Sequence, residues 1–238
     1  MRFLAIPFLI LGSLLISASA RAVDAFDYHC GDVALLQLKV VQKEVNITEA
    51  QRKQMNVAAD AHRAKLAAYD KVLRGQKVKD SPQVQEKTLK GYYDELKRNV
   101  FAQLNDAQIK RLRELTLQRA GLAALLDKVV AKRVGFTEAE TAQYRKTFAD
   151  GANQAGNVER QALKPILEKY RAMKPKTDAE KKKLQAKMQG EIEAASKKYG
   201  PQMQQIQNDT QNKLKAMFKP QYRQNWQSLL GKQFTPKQ

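Results

Sequence analysis

The sequence predicts an all-α protein, and three observations lead to that prediction. Glycine and proline are few among the 238 residues, 11 and 7, which suits long helices better than a sheet with many turns. Alanine, glutamine, lysine, leucine and glutamate dominate the chain, and all five are good helix formers. Apolar residues recur at intervals of three and four along most of the chain, which is the spacing of one helical face.

The first twenty residues have the pattern of a secretory signal peptide. Arg2 supplies a positive charge, residues 3–16 are almost entirely apolar, and Ala18-Ser19-Ala20 places small residues where signal peptidase requires them. A membrane anchor is the alternative, but this run is shorter than the about 20 apolar residues that span a bilayer. We therefore expect a cleaved signal over 1–20, a periplasmic or secreted protein, and no membrane span afterwards.

The remaining chain divides into three predicted parts. Residues 21–32 lack periodicity, which predicts a flexible N-terminal segment. Residues 33–134 form an N-terminal helical region, with helices expected over 33–45, 49–74, 83–103, 106–119 and 122–133. Residues 135–238 form a long antiparallel helical hairpin, 137–173 and 178–217 joined by a turn at 174–177, followed by a short C-terminal helix. Proline inside a helix removes a backbone donor, so Pro201 predicts a kink in the second arm.

One short motif recurs at predicted helix starts. An apolar residue precedes a capping residue, and a glutamine or glutamate follows three positions later, as in the capping box. The three good copies place their cap and closing residues at Thr48 and Gln51, Asn105 and Gln108, and Thr137 and Glu140. A degenerate fourth copy at 218–222 keeps a proline at the first helical position but lacks a good capping side chain.

These copies resemble the LTxxQ signature of the Spy/CpxP family of bacterial periplasmic helical proteins. The segments VQKEVNITEAQRKQM at 41–55, LNDAQIKRLRELTLQRAGLAALLDKVVAKRVGFTEAE at 104–140 and FKPQYRQNWQSLLGKQF at 218–234 carry the resemblance. The chain is similar to that family as a longer relative. The resemblance implies a helical periplasmic protein that binds unfolded or misfolded clients or senses envelope stress, and several members form curved homodimers.

The strongest charge cluster falls at the predicted hairpin tip. The chain carries a formal net charge of +19, which favours anionic partners, although export makes nucleic acid an unlikely one. Only Asp178 and Glu180 oppose the cations between residues 169 and 187. The candidate surface for an anionic partner consists of Lys169, Arg171, Lys174, Lys176, Lys181, Lys182, Lys183 and Lys187. The alternative is a solvated tip that serves solubility.

Enzymatic chemistry is not indicated by the sequence. Two histidines, His29 and His62, cannot be assembled into a catalytic triad with any pattern in the chain, and no glycine-rich phosphate loop follows a strand. Asp27, His29, Cys30 and Asp32 offer metal-ligand chemistry, but their place in the 21–32 segment favours a flexible tail. Cys30 is the sole cysteine, so no internal disulfide can form, and it either stays free or pairs between chains. We expect no cofactor and no catalytic residues.

Three functions remain open at this point. The resemblance favours a non-enzymatic, ATP-independent chaperone or envelope-stress adaptor, whose partners would be unfolded or acidic client proteins. The basic charge alone is compatible with a structural or adhesive protein that holds an anionic envelope component. A metal-responsive envelope sensor is the third alternative. Charge-driven binding weakens as ionic strength rises, whereas binding to apolar surface persists, so salt separates the first two.

Overall fold

The structure is a computed structural model, and it describes residues 24–75 and 80–235. Every regular element within these residues is helical, so the prediction of an all-α fold is confirmed. The helices are α1 (Ala25–Cys30), α2 (Lys39–Glu44), α3 (Glu49–Gly75), α4 (Pro82–Phe101), α5 (Asp106–Ala120), α6 (Lys128–Val134), α7 (Glu138–Arg171), α8 (Asp178–Ala216) and α9 (Pro220–Leu230). Short 3-10 segments at Val33–Gln37 and Gly121–Leu126 precede α2 and α6.

The first long pair of helices, α3 and α4, forms an antiparallel hairpin. Lys65 on α3 pairs with Glu95 on α4, and the Tyr69 ring meets the Tyr92 ring edge-on at 6.1 Å. Later residues of α3 therefore meet earlier residues of α4. The outer faces of this hairpin are not uniformly polar, because Val57 and Val72 of α3 and Val84 and Leu89 of α4 are exposed.

The second long pair, α7 and α8, is also antiparallel and is longer. Gly151 lies against Thr210, and nearer the tip the Tyr170 hydroxyl donates to a Glu191 carboxylate oxygen at 2.9 Å. The helical hairpin of the sequence prediction is therefore present over these ranges. Helix α8 continues through Pro201 as one element.

Two hydrophobic cores lie where the hairpins meet the short helices. The first core contains Val33, Leu35, Leu36, Val41, Val45, Met55, Val100, Phe101, Ile109, Leu112 and Leu115. The second contains Phe26, Leu117, Leu125, Val130, Ala131, Val134, Phe136, Tyr144, Leu214, Phe218, Tyr222 and Trp226. Burial of these side chains is the main stabilising contribution, because no disulfide links the chain.

Helix α5 belongs to both cores, and both ends of the described chain cross between them. Ile109 and Leu115 of α5 pack into the first core, whereas Leu117 packs into the second. Phe26, near the N-terminus, is buried in the second core, and Phe234, near the C-terminus, packs against the first. The cores therefore divide within α5, which differs from the division between residues 134 and 135 drawn from the sequence.

The two cores are built from a repeated unit. Residues 33–51 (VALLQLKVVQKEVNITEAQ) and 122–140 (LAALLDKVVAKRVGFTEAE) align without a gap, and ten of the nineteen aligned residues are identical. Each segment forms a 3-10 turn, a short helix, a tight turn and the start of a long hairpin helix. Met55 and Tyr144, at the same spacing beyond the two segments, are buried in the first and second core respectively. Helices α5 and α9 then close the two units.

The prediction of a flexible segment over 21–32 is corrected for residues 24–32, which are ordered by three contacts. The Asp24 side chain caps α1 by accepting from the backbone N–H of Phe26 at 2.8 Å. Phe26 is buried in the second core, while Tyr28 packs on the first and meets the Phe101 ring at 5.0 Å. The helix is too short to show a periodic pattern, which is why the sequence does not reveal it.

Two helices predicted as continuous are divided in the structure. Leu38 interrupts 33–45 and Asp127 interrupts 122–133, and both have extended backbone. The Asp127 side chain caps α6 by accepting from the backbone N–H of Val129 at 2.7 Å. A 3-10 turn and a short α-helix carry similar apolar spacing over so few residues, so periodicity does not separate them.

The predicted signal peptide over 1–20 lies outside the described residues, as do residues 76–79 of the connector between α3 and α4. Among the helices that the structure describes, none combines the length and apolar character needed to cross a bilayer.

Candidate functional site

The first two predicted capping boxes form as expected. The Thr48 hydroxyl accepts from the Gln51 backbone N–H at 3.2 Å, and the Gln51 side chain accepts from the Thr48 backbone N–H at 3.0 Å. Asn105 and Gln108 make the same reciprocal bonds at 2.9 and 3.0 Å. Both helix starts are therefore closed by their own side chains, which satisfies backbone donors that the helix leaves free.

The third capping box forms as predicted, and a fourth one was missed. Thr137 accepts from the Glu140 backbone N–H at 3.2 Å, and Glu140 accepts from the Thr137 backbone N–H at 2.9 Å. Thr177 and Glu180 repeat this arrangement at the start of α8. The Thr-x-x-Glu spacing at 177–180 was the available sequence signal.

The closing side chain of the first box contacts that of the second. The Gln51 amide nitrogen lies 2.8 Å from the Gln108 amide oxygen, and the Gln108 amide nitrogen lies 3.0 Å from the Gln51 amide oxygen. Gln108 also donates to the Asn46 carbonyl at 2.9 Å. The boxes therefore act as a joint that attaches α5 to the start of α3, which is a structural role.

The second unit has an equivalent joint of different chemistry. The Tyr222 hydroxyl donates to Glu140 at 2.9 Å, and the Lys219 ammonium pairs with the same carboxylate at 2.7 Å. Hydrogen bonds from Lys219 and from the Thr137 backbone lower the pKa of Glu140 to about 2. Lys219 makes no side-chain capping bond, as the degenerate motif predicted, but it contributes to this joint.

The eight predicted cations of the hairpin tip are all exposed, and the structure brings only some of them together. Lys174, Lys183 and Lys187 line a shallow groove of about 320 Å³ across the tip. Lys169 instead pairs with Glu191, which raises the pKa of Lys169. The remaining cations, which do not line the groove, are Arg171, Lys176, Lys181 and Lys182.

The tip groove combines positive charge with an apolar surface. Met173, Pro175 and Leu184 line it beside the three lysines, and the Met173 side chain is exposed. Glu180 is the acid in its lining, and its carboxylate accepts from the backbone N–H of Lys176 at 2.7 Å. No ion pair joins a cation and an acid that both lie within 169–187, a stretch that the structure describes in full. The tip therefore keeps its positive surplus.

Three of the four candidate metal ligands have separate polar partners. Asp27 accepts from Arg113 at 3.0 Å, and His29 Nε2 lies 2.8 Å from Asp127. Asp32 accepts from the Tyr93 hydroxyl at 3.1 Å. Over the described part of the chain, no group of three His, Cys, Asp or Glu side chains has the geometry to hold a metal ion.

Cys30 is half-buried between these side chains. Burial is the main cause that raises the pKa of its thiol to about 12, and the Asp127 carboxylate adds to the effect. The thiolate is the reactive form of cysteine, so the raised pKa lowers the nucleophilic reactivity of this thiol.

Comparison with known proteins finds no matching family model, no matching curated protein and no matching solved structure. The tip groove is the candidate functional site.

Proposed function

We propose that this is an exported, non-enzymatic helical protein that acts as an ATP-independent chaperone or envelope-stress adaptor. In this proposal, the hairpin formed by α7 and α8 presents the tip groove to partly unfolded proteins. The clients would carry apolar side chains next to acidic ones. The export pattern at 1–20 and the likeness of the repeated capping motif to the LTxxQ signature support the same class of protein.

The observation that carries the proposal is the mixed character of the tip groove. Its lysines, Lys174, Lys183 and Lys187, offer three positive charges, and Met173 and Leu184 supply apolar contact. Methionine is flexible and polarizable, and it suits surfaces that must accept clients of different shape. Charge speeds the encounter with an acidic client, while apolar contact slows its release.

The adhesive alternative also has a specific observation in its favour. Arg171, Lys176, Lys181 and Lys182 are exposed cations outside the groove, and none of them has an ion-pair partner among the described residues. A polyanion of the envelope could bind along this surface by charge alone. Such binding would need no groove and would weaken steeply with salt.

Two triple variants with equal charge change separate these functions. K174Q/K183Q/K187Q neutralises the groove, and K176Q/K181Q/K182Q neutralises the same number of lysines outside it. At low salt we expect the first variant to suppress aggregation of an acidic unfolded client less than wild type, and the second to match wild type; at high salt, where the charges are screened, all three proteins should act alike. The measurement is light scattering by the client at low and high salt.

The salt dependence distinguishes client binding through apolar contact from charge-driven binding of an envelope polyanion. Chaperone activity that persists at high salt in the wild-type protein supports binding through the apolar part of the groove. Equal loss in both triple variants, together with loss of all activity at high salt, would favour the adhesive alternative. Failure of the wild-type protein to suppress aggregation at any salt concentration would refute the chaperone proposal.

A further inference from the structure

A second and larger groove lies between α6 and the first two turns of α7. Its volume is about 810 Å³, within the range of about 300–1,000 Å³ that is usual for sites of small ligands. The lining residues are Lys128, Lys132, Phe136, Thr137, Glu138, Thr141, Ala142 and Arg145. This groove is far along the chain from the hairpin tip, and the proposed function does not use it.

The cations of this groove are not compensated. Lys128 and Lys132 lie one helical turn apart on the exposed face of α6, and neither forms an ion pair within the described chain. By contrast, Arg111 and Arg113 near the cores have carboxylate partners, Arg113 with Asp27 at 3.0 Å and Arg111 with Glu114 at 2.8 Å. Glu138 is the only acid in the lining, so the groove carries a surplus of two positive charges.

The third cation, Arg145, is held in place by the backbone. Its guanidinium donates to the Leu126 carbonyl through Nε at 2.8 Å and also through a terminal nitrogen. An arginine fixed in this way offers its remaining N–H groups in a set direction, which suits the planar oxygens of a carboxylate or the oxygens of a phosphate.

The floor of the groove is apolar and rigid. Phe136 is 5% exposed, and its ring stacks on Tyr222 at 4.7 Å and meets Tyr144 edge-on at 5.7 Å. The Tyr144 hydroxyl donates to the Leu122 carbonyl at 2.9 Å, which fixes that ring. Ala142 leaves room above this floor because its side chain is a single methyl group. One fixed guanidinium and two exposed lysines beside a preformed apolar surface match a ligand with an anionic head and an apolar body.

The first repeat unit has equivalents of only some of the cations that line this groove. Lys39 and Lys43 occupy the positions equivalent to Lys128 and Lys132, but Asn56 replaces Arg145. The exposed lysine pair is thus common to both units, whereas the fixed guanidinium belongs only to the second.

We propose that the groove between α6 and α7 binds a small amphiphilic anion, with its carboxylate or phosphate head between Lys128, Lys132 and Arg145. Its hydrocarbon body would lie over Phe136 and Ala142. Charge complementarity favours the anionic head, and the volume of about 810 Å³ lies in the range usual for sites of small ligands.

Isothermal titration calorimetry with dodecanoate and dodecyl phosphate, below their micelle concentrations, tests the proposal on the full chain. We expect saturable binding of one ligand per protein, with the preferred head identified by comparing these two probes. Acetate, inorganic phosphate and dodecyltrimethylammonium should bind at least about tenfold more weakly, because each lacks one half of the required chemistry.

Three variants locate the site. K128Q/K132Q should weaken binding about tenfold or more, since it removes two charge-assisted contacts. K39Q/K43Q makes the same charge change in the first unit and should leave affinity within about twofold of wild type. A142W should abolish binding by filling the groove. The fold should persist in the variants of this groove, because residues 128, 132 and 142 are all exposed. Circular dichroism checks this.

Several results would overturn the proposal. One is no saturable binding of either dodecyl anion by the wild-type protein. Another is equal weakening by the two lysine pairs, which would show that affinity follows overall charge alone. Retained affinity in A142W would place the bound molecule elsewhere on the protein.

Discussion

Gly151 of α7 lies so close to Thr210 of α8 that no side chain fits between them. A Cβ atom at position 151 would overlap the Thr210 hydroxyl oxygen and would lie 3.0 Å from the Thr210 Cβ. This close approach brings the two long helices together next to the second core. Because the nearest atoms include the base of the threonine side chain, a rotamer change cannot remove the overlap.

We expect Gly151→Ala to destabilise the protein by about 1–3 kcal/mol through overpacking. Gly190→Ala is the matched control on α8, because nothing lies within 4 Å of its added Cβ, and it should stabilise by about 0.5–1 kcal/mol. Urea denaturation of both variants measures the difference. Adding Thr210→Ala to the Gly151 variant should recover part of the loss, and a Gly151→Ala protein as stable as wild type would contradict the close approach.

The capping threonines should contribute measurably to stability. Thr48→Ala, Thr137→Ala and Thr177→Ala should each lower the free energy of unfolding by about 0.5–2 kcal/mol, since each removes a side-chain acceptor at a helix start. Thr147 is the control, because its hydroxyl donates to the Gln143 carbonyl within α7 and caps nothing. Thermal melts should show Thr147→Ala close to wild type. If all four variants melt alike, the boxes have no stabilising role.

The paired amides of Gln51 and Gln108 should be energetically coupled. Gln108 is 6% exposed, and Gln51→Ala removes one partner of its buried amide while the bonds to Asn46 and Asn105 remain, at a cost of about 0.5–1.5 kcal/mol. A double-mutant cycle with Gln108→Ala should give a coupling energy of about 0.5–3 kcal/mol. If the changes in the free energy of unfolding caused by the two substitutions simply add, the two amides are not energetically coupled.

The equivalent joint at Glu140 should make stability depend on acid pH. The pKa of this carboxyl falls from an ordinary value of 4.5 to about 2 on folding, so its stabilising effect is complete above about 4.5. The effect is lost as pH falls from about 4.5 to about 2, because the unfolded chain then binds a proton that the folded protein does not. Glu140→Gln removes the titrating group.

Thermal melts across this pH range test that expectation. The difference in Tm between wild type and Glu140→Gln should be largest near neutral pH and should shrink toward pH 2. Lys219→Gln should show a smaller pH effect than wild type, since Lys219 is the largest cause of the lowered pKa. A Tm difference that stays constant with pH would show that the carboxylate is not stabilised by folding.

The long helices could be predicted because many turns repeat the same apolar spacing. The structure places α3, α4, α7 and α8 within about two residues of the expected bounds. The caps at Thr48, Asn105 and Thr137 could also be predicted, since a capping box is determined by four consecutive residues. Both the long helices and the caps are determined by residues that are close together in the sequence.

The contacts between distant segments could not be read in the same way. Nothing near Phe26 indicates that it will be buried beside Trp226, and nothing near Lys219 indicates its bond to Glu140. Such contacts depend on how the hairpins are placed relative to each other. The repeat of 33–51 at 122–140 was the one long-range signal in the sequence, and it relates the two cores directly.

The crossing of the chain ends affects the order in which the protein can be completed during synthesis. The first core is made of early residues such as Leu35 and Met55, yet Phe234 packs against it. A ribosome makes the chain from its N-terminus, so the first core lacks this contact until Phe234 has been added. The second core in turn holds Phe26 from the start of the described chain. Phe26 is already present when the second core is made, whereas the first core waits for Phe234, so the first core can be completed only after most of the second has been synthesised.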